Sequence, residues 1–435
     1  MNATFKERQR AILRIALPAI ITNITTPILA MVDLAIVGRL GSATYIGAIA
    51  VGSSIFNMVY WLLNFLRAGT SGLTAQAVGA GNLSRRDDIF YRGLIIGVAL
   101  GTLALLLSPL IATIFIPFME ADASTSGLAE QYFLWVIWGA PAYLASSAIG
   151  GWLLGNQNSV ATLNIAILTN VANIVLSLIF VFVAGMKIEG VALGTATSQW
   201  IGCLYGLWIV KRKYSPRFSR FKTVFARPEV MRFFKLNFDI FMRTLCLVAV
   251  TLWFTRTGAK MGADILAANA LLMQLFMLFS FFMDGFAYAG EAIAGKEFGA
   301  GRLKELRVLE IDLMKWGMVL ATIGVIIYFF AGELILGLLT AEEGVKAVAK
   351  DYLPWAITIP LCGFMAFIYD GIYIGLSLTR RLLLSMIFAM GVFFISYFIF
   401  HPLWHNHALW LAFSLYLLTR GISQIFLLRQ HLGKK

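Results

Sequence analysis

Twelve long apolar runs dominate the chain and restrict what it can fold into. They fall at about 11–38, 45–77, 90–117, 128–153, 160–185, 190–211, 232–257, 265–295, 308–336, 347–375, 382–404 and 408–429. About 20 apolar residues in helical form cross the roughly 30 Å of hydrocarbon in a bilayer. In that medium each segment must satisfy its own backbone amides, which favours helices; a β-barrel would show short alternating segments. Composition agrees, with 60% of the 435 residues hydrophobic and 13% charged, against about half and a quarter in soluble domains. The expected fold class is an all-α polytopic membrane protein with twelve transmembrane helices in two pseudo-symmetric six-helix bundles.

A net charge of +13 would suit a nucleic-acid binder if the basic residues formed a stripe. Here they sit in short connections. Lys6, Arg8, Arg10 and Arg14 precede the first run, and Arg85, Arg86 and Arg92 follow the second. Seven more, from Lys211 to Arg227, follow the sixth; Arg302, Lys304 and Arg307 follow the eighth, Arg380 and Arg381 the tenth, and Arg429, Lys434 and Lys435 end the sequence. The intervening connections carry Glu120, Asp122, Glu130, Glu333, Glu342 and Glu343. Basic loops stay on the cytoplasmic side, so both termini are expected on the cytoplasmic face of the membrane. The first run is too long for a signal-peptide core and is expected to remain as a membrane helix. Cys203, Cys246 and Cys362 stand apart in separate runs, without the spacing of a metal site, and read as core residues.

The longest polar connection, "KRKYSPRFSRFKTVFARPE", begins at Lys211 near the middle of the chain. It divides the sequence into an amino-terminal bundle (1–210), a cytoplasmic linker (211–230) and a carboxy-terminal bundle (231–435). The two parts look duplicated. Gly79-Ala80-Gly81 recurs as Gly299-Ala300-Gly301, and the same offset of 220 sets Gly38 on Gly258 and Asn64 on Asp284. Weak internal identity is the mark of duplicated transporter folds, whose substrate sites lie between the repeats.

Ionisable and polar side chains inside the runs are costly there and point to function. Asp33, in "AMVDLAIVGRLG", lies within the first run. A carboxyl in such a place can trade a proton rather than remain charged. In the fifth run, Asn170, Asn173 and Ser177 share one helix face, and Thr195, Thr197 and Ser198 add polarity to the sixth. These are either interhelical glue or part of a site for a proton or sodium ion. The second half offers Asp239 and Arg243, spaced to pair, and Asp284, Glu291 and Asp370. Pro18 and Pro27 interrupt the first run and allow it to bend. "HPLWHNH" holds His401, His405 and His407 in an outer connection and reads as an ordinary loop, so no metal site is expected. No Walker sequence, GxSxG elbow or HExxH is present, which argues against ATP-driven transport and against an enzyme.

Pro18, "MVDLAIVGRLG", "FLRAGTSGLTAQAVGAGN", "GWLLGNQ", "MDGFAYAGEA", "YDGIYIG" and "NHALWLAFSLYLLTRG", in this order and spacing, resemble the MATE family of multidrug and toxic compound extrusion transporters, and within it the bacterial DinF-type branch. The resemblance runs nearly end to end. It implies a V-shaped pair of six-helix bundles and export of amphipathic or cationic molecules in exchange for H⁺ or Na⁺. In DinF-like members an acid in the first helix carries the coupling ion and a proline fifteen residues earlier lets that helix bend; Asp33 and Pro18 occupy those places. The helix-five and helix-six pattern matches at Asn173 and Thr195, whereas Ser177 stands where an aspartate is expected, which favours H⁺ over Na⁺. In another branch the second bundle binds the cation through acids in helices seven and ten; Asp370 resembles the latter, and Asp239 falls early in its helix. No cofactor beyond the coupling ion and no nucleic-acid partner is expected, and the chain reads as a monomer. The rival readings are a flippase for lipid-linked substrates, which would need more intramembrane cations, and a membrane-embedded transferase, which would need paired catalytic carboxylates or a metal.

Overall fold

A computed structural model describes residues 4–38, 43–63, 65–119, 122–219, 221–340 and 342–432. Asn64, Glu120, Arg220, Lys434 and Lys435, used in the topology reading above, lie outside the described residues. The described residues are almost all helical, joined by short turns. The first part holds α1 (Phe5–Gly38), α2 (Ala43–Leu63), α3 (Phe65–Gly79), α4 (Leu83–Leu106), α5 (Ser108–Phe118), α6 (Ala123–Val136), α7 (Ala140–Gly155), α8 (Ser159–Leu178) and α9 (Ile188–Tyr214). After the short α10 (Phe221–Val224) come α11 (Arg227–Lys260), α12 (Ala263–Gly299), α13 (Leu303–Leu339), α14 (Glu343–Gly375) and α15 (Thr379–Leu432).

Among the described residues, ten segments are long and apolar enough to cross a membrane. Two more crossings bring this to the expected twelve. α9 is 27 residues long, and its Thr195, Thr197, Ser198 and Gln199 lower its hydropathy. α15 has 54 residues, with a break at His405, where φ is 45°. At about 1.5 Å per residue it is far too long for one crossing. Its two arms fold back on each other: the Tyr416 hydroxyl donates to Met386 Sδ at 3.0 Å, and the Tyr416 and Phe393 rings lie 6.4 Å apart.

The duplication is written in the backbone. Left-handed residues recur at an interval of 220: Gly81 (φ 68°) and Gly301 (φ 73°), Gln157 (φ 61°) and Ser377 (φ 55°), Gly185 (φ 69°) and His405 (φ 45°). Each pair marks the same chain reversal in the two halves. At Gly81 and Gly301 the reason is steric, because a side chain disfavours positive φ. The interhelical seams recur as well. Gly151 and Gly155 of α7 press on the carbonyls of Arg67 and Ser71 in α3, and Gly371 and Gly375 of α14 press on those of Ala287 and Glu291 in α12. A Cβ at Gly155 would sit only 2.6 Å from the Ser71 oxygen. Small residues four apart let backbones approach in this way, replacing the hydrophobic drive that a lipid solvent cannot supply.

The chain forms two compact units. One spans Leu17–Asn237; the other runs from Phe238 onward and includes the chain up to Ala16. The connection from one unit to the other is therefore made inside α1 and inside α11, rather than in the polar segment after α9. That segment packs on the first unit: the Tyr91 hydroxyl donates to the Pro216 carbonyl at 2.9 Å, the Arg217 amide to Asp87 at 3.0 Å, and Arg92 to the Val224 carbonyl at 2.8 Å. Cys203 and Cys246 are buried and Cys362 is half-buried, all as free thiols.

Candidate functional site

The amino-terminal unit brings polar groups from four helices into an apolar surround. Ile36 and Val37 of α1 pack in one cluster with Tyr132, Phe133 and Val136 of α6 and Val191 and Ala192 of α9, with Val32 against it. This packing fixes the face of α1 that carries Asp33. The Asp33 carboxyl acts electrostatically on the Tyr132 hydroxyl, which hydrogen-bonds the Thr195 side chain. Asn173 of α8 donates through Nδ2 to Thr195 Oγ1 at 2.9 Å, and Thr195 donates back to the Val191 carbonyl at 3.1 Å. Tyr132 and Asn173 thus meet at Thr195, with Tyr132 in the field of the acid on α1.

Asp33 Oδ1, Asn173 Oδ1 and Ser177 Oγ are among the oxygens of this unit that are shielded from solvent and have no hydrogen-bond partner among the described residues, as are the Thr70, Ser71, Ser146 and Thr162 hydroxyls. Buried polar atoms normally find partners. The carboxyl and amide oxygens can only accept and the Ser177 hydroxyl can accept as well as donate, so a proton or a small hard cation suits this set. Ser177 is buried against α9 at Gly194, where an added Cβ would lie 2.5 Å from Ser177 Oγ. Asn170, one turn nearer the start of α8, is half-buried. Pro18 is half-buried in α1; having no N–H, it removes the helix hydrogen bond to the Arg14 carbonyl. Its own carbonyl accepts from the Thr22 hydroxyl at 2.9 Å.

The second-half acids behave differently. Asp370 is buried and accepts from Arg243 and Arg420 through one oxygen, and from Gln424 Nε2 at 2.7 Å through the other. Asp284, half-buried on α12, adds to the field at Arg420. Asp239 and Arg243 were spaced to pair, but they take separate partners: Asp239 accepts from the Thr379 hydroxyl at 3.0 Å and lies 3.8 Å from Arg380. Two guanidinium groups and an amide thus surround one buried carboxylate and engage both of its oxygens. Among the described residues no three His, Cys, Asp or Glu side chains converge as a metal site. His407 Nδ1 instead accepts from the Trp355 indole at 3.0 Å.

Comparison with known proteins places this helical membrane fold. The structure superposes on that of a MATE protein in the bent conformation with a TM-score of 0.88, covering 98% of this chain and 96% of that one at 18% identity. The straight conformation also gives 0.88, at 19% identity. The chain belongs to the MatE family, whose model matches it twice, at residues 18–179 and 238–399. It is 34% identical to DNA damage-inducible protein F of Escherichia coli over 97% of this chain and 92% of that protein. It is 25% identical to the probable multidrug resistance protein NorM of Bacillus licheniformis, over 83% of this chain and 81% of the relative. The two matched stretches repeat at the same interval of 220 as the backbone turns.

Reading the sequence alone missed Tyr132, which hydrogen-bonds Thr195 in the field of Asp33. A lone tyrosine in an apolar run carries little signal, because its ring suits the core and only its hydroxyl seeks a partner. Arg420 and Gln424 were also missed. Arg420 lies inside the last apolar run, so the rule that flagged Asp33 applied equally to it.

Proposed function

We propose that the chain is a secondary active antiporter of a bacterial inner membrane that exports amphipathic or cationic small molecules in exchange for protons taken up at Asp33. The observation that carries this reading is the shielded, unpartnered Asp33 carboxyl oxygen beside the Tyr132, Thr195 and Asn173 hydrogen bonds. The relatedness to multidrug resistance proteins supports the substrate class. The chain is read as a monomeric carrier with no enzymatic step and with both termini in the cytoplasm. The charge asymmetry of the loops supports that orientation.

With Asp33 ionised, the amino-terminal unit attracts a cationic substrate. A proton from outside neutralises the carboxyl, the attraction is lost, and α1, bent at Pro18, reshapes the cavity so that the substrate leaves outward. Return to the inward state lets the proton leave to the cytoplasm. One charge moving down 100 mV supplies about 2.3 kcal/mol, and each unit of pH gradient about 1.4 kcal/mol. With no second carboxylate at 177, sodium coupling has the weaker support.

The test is efflux of a fluorescent cationic dye from proteoliposomes under an imposed proton or sodium gradient, in the parent and in Asp33→Asn. Proton-driven efflux that disappears in the variant is the expected result. Efflux by Asp33→Asn equal to the parent's at equal reconstitution would refute the assignment, and sodium-driven efflux that survives would move coupling to the second half.

A further inference from the structure

Each half opens with a helix whose first turns belong to the other unit. The chain through Ala16 groups with the carboxy-terminal unit and the chain through Asn237 with the amino-terminal one. The buried residues of these openings have the same spacing, set one residue beyond the 220 interval: Ile12, Ile15 and Ala16 on α1, and Phe233, Leu236 and Asn237 on α11. One turn before each ladder comes an ion pair. Arg8 Nε lies 2.7 Å from Asp312 of α13, and Glu229 lies 3.7 Å from Arg92 of α4. Asp312 and Arg92 stand 220 residues apart, at matching places in the repeat. The member on the receiving helix is buried in both cases, at 3% and 2% side-chain exposure, and the member on the incoming helix is partly exposed, at 28% and 35%. The two pairs have opposite polarity and similar burial, the first closely hydrogen-bonded and the second a longer contact.

The openings differ in how they can respond to movement of one unit against the other. In α1, Pro18 stands two residues past the crossing, where the helix can bend. From Glu229 to Thr257, α11 contains neither proline nor glycine, so its crossing at Asn237 is continuous helix. A stiff helix transmits displacement along its length. The Gln9 side chain, accepting from the Trp316 indole at 2.6 Å, adds a further tie on the α1 side. The second tie to Glu229 comes from Arg85 at 3.4 Å, with both side chains partly exposed, and such pairs are weak.

We propose that the Glu229 and Arg92 pair is a releasable latch. The opening turns of α11, residues 227–237, leave their seat on the amino-terminal unit during each transport cycle, while those of α1 stay docked on the other unit through Arg8 and Asp312. This rests on the alternating-access reading above. It assigns α11 a moving role and gives the charge inversion a consequence: the two seats do not accept each other's helix.

The test uses the full chain with Cys203, Cys246 and Cys362 replaced by serine, carrying Phe233→Cys or Ile12→Cys, both sites being about 1% exposed. Labelling by a membrane-impermeant maleimide is followed in inside-out and right-side-out vesicles. Without any gradient, Glu229→Gln should speed labelling at 233 by about fivefold, the population change expected for loss of an ion pair worth about 1 kcal/mol, and Glu229→Asp should restore the slow rate. Under a pH gradient with a cationic dye, labelling should accelerate at 233 and not at 12. Unchanged labelling at 233 in Glu229→Gln would overturn the latch, and equal acceleration at both sites would overturn the division of roles. Faster labelling in Glu229→Gln without dye transport by the parent would leave the latch standing and remove the antiport reading. Labelling only from the outer face would reverse the orientation alone.

Discussion

Gly155→Ala is a demanding test of the seam between α3 and α7. The new methyl would lie 2.6 Å from the Ser71 carbonyl oxygen, 2.7 Å from Thr74 Cβ and 3.0 Å from the Ala75 amide nitrogen. Ordinary contacts begin near 3.4 Å, so the two helices must part by most of an ångström along a backbone that cannot rotate away. A gap of about 0.5–1 Å forfeits a quarter to a half of each dispersion contact it opens, and overpacking of this kind costs about 1–3 kcal/mol. Alanine's better helix propensity returns about 1 kcal/mol. Gly391→Ala in α15 is the control, because nothing lies within 4 Å of a Cβ there; it should gain that propensity with no clash. Because both variants gain that propensity, they should differ by the overpacking cost, about 1–3 kcal/mol. Extended to a chain of this size, that is about 1–6 °C in the midpoint of thermal unfolding in detergent. A Gly155→Ala midpoint equal to or above that of Gly391→Ala would show that the seam is loose and that the repeated glycines serve another purpose.

Two further outcomes follow from the charged groups. Asp370→Asn leaves two intramembrane guanidinium groups without their carboxylate and should cost about 3–5 kcal/mol, read as a lowered yield of folded protein and a lower melting midpoint; adding Arg243→Met should recover part of the loss, and a variant as stable as the parent would contradict the cluster. Outside the membrane, the Ser124 and Thr125 hydroxyls and the Thr125 amide donate to Asp122, the N-cap of α6, and hold its carboxyl well below the usual carboxylate range. A carboxyl lowered on folding stabilises fully above its unfolded value, near pH 4, and ceases to do so as acid protonates it in the folded state. The deficit of Asp122→Ala relative to the parent should thus be constant above about pH 5 and shrink on strong acidification; a deficit that grows as pH falls would refute the assignment.

The helical class and the duplication were legible because the bilayer imposes long apolar runs and because Gly79-Ala80-Gly81 recurs as Gly299-Ala300-Gly301. Asp33, Asn173 and Thr195 stood out for being polar where polarity is costly, and the fold brings them into one bundle. Partner choice was not legible. Asp239 and Arg243 satisfy the helical pairing rule, yet each finds a better neighbour on a different helix, Thr379 and Asp370, which spacing along one helix cannot reveal. The place where the chain passes between units was hidden for a similar reason: composition marks the polar stretch after α9 as a linker, while packing ties that stretch to the amino-terminal unit and makes the passage inside two apolar helices.

That arrangement bears on how the protein would respond to being cut in two. A break between Lys213 and Phe221 severs no membrane helix, but each fragment would keep opening turns that complete the other fragment's core: residues up to Ala16 for one, and the stretch through Asn237 for the other. Neither piece would have all of its own packing. The fragments should therefore depend on each other when co-produced, and their reassembly would be a form of reciprocal complementation built into the fold.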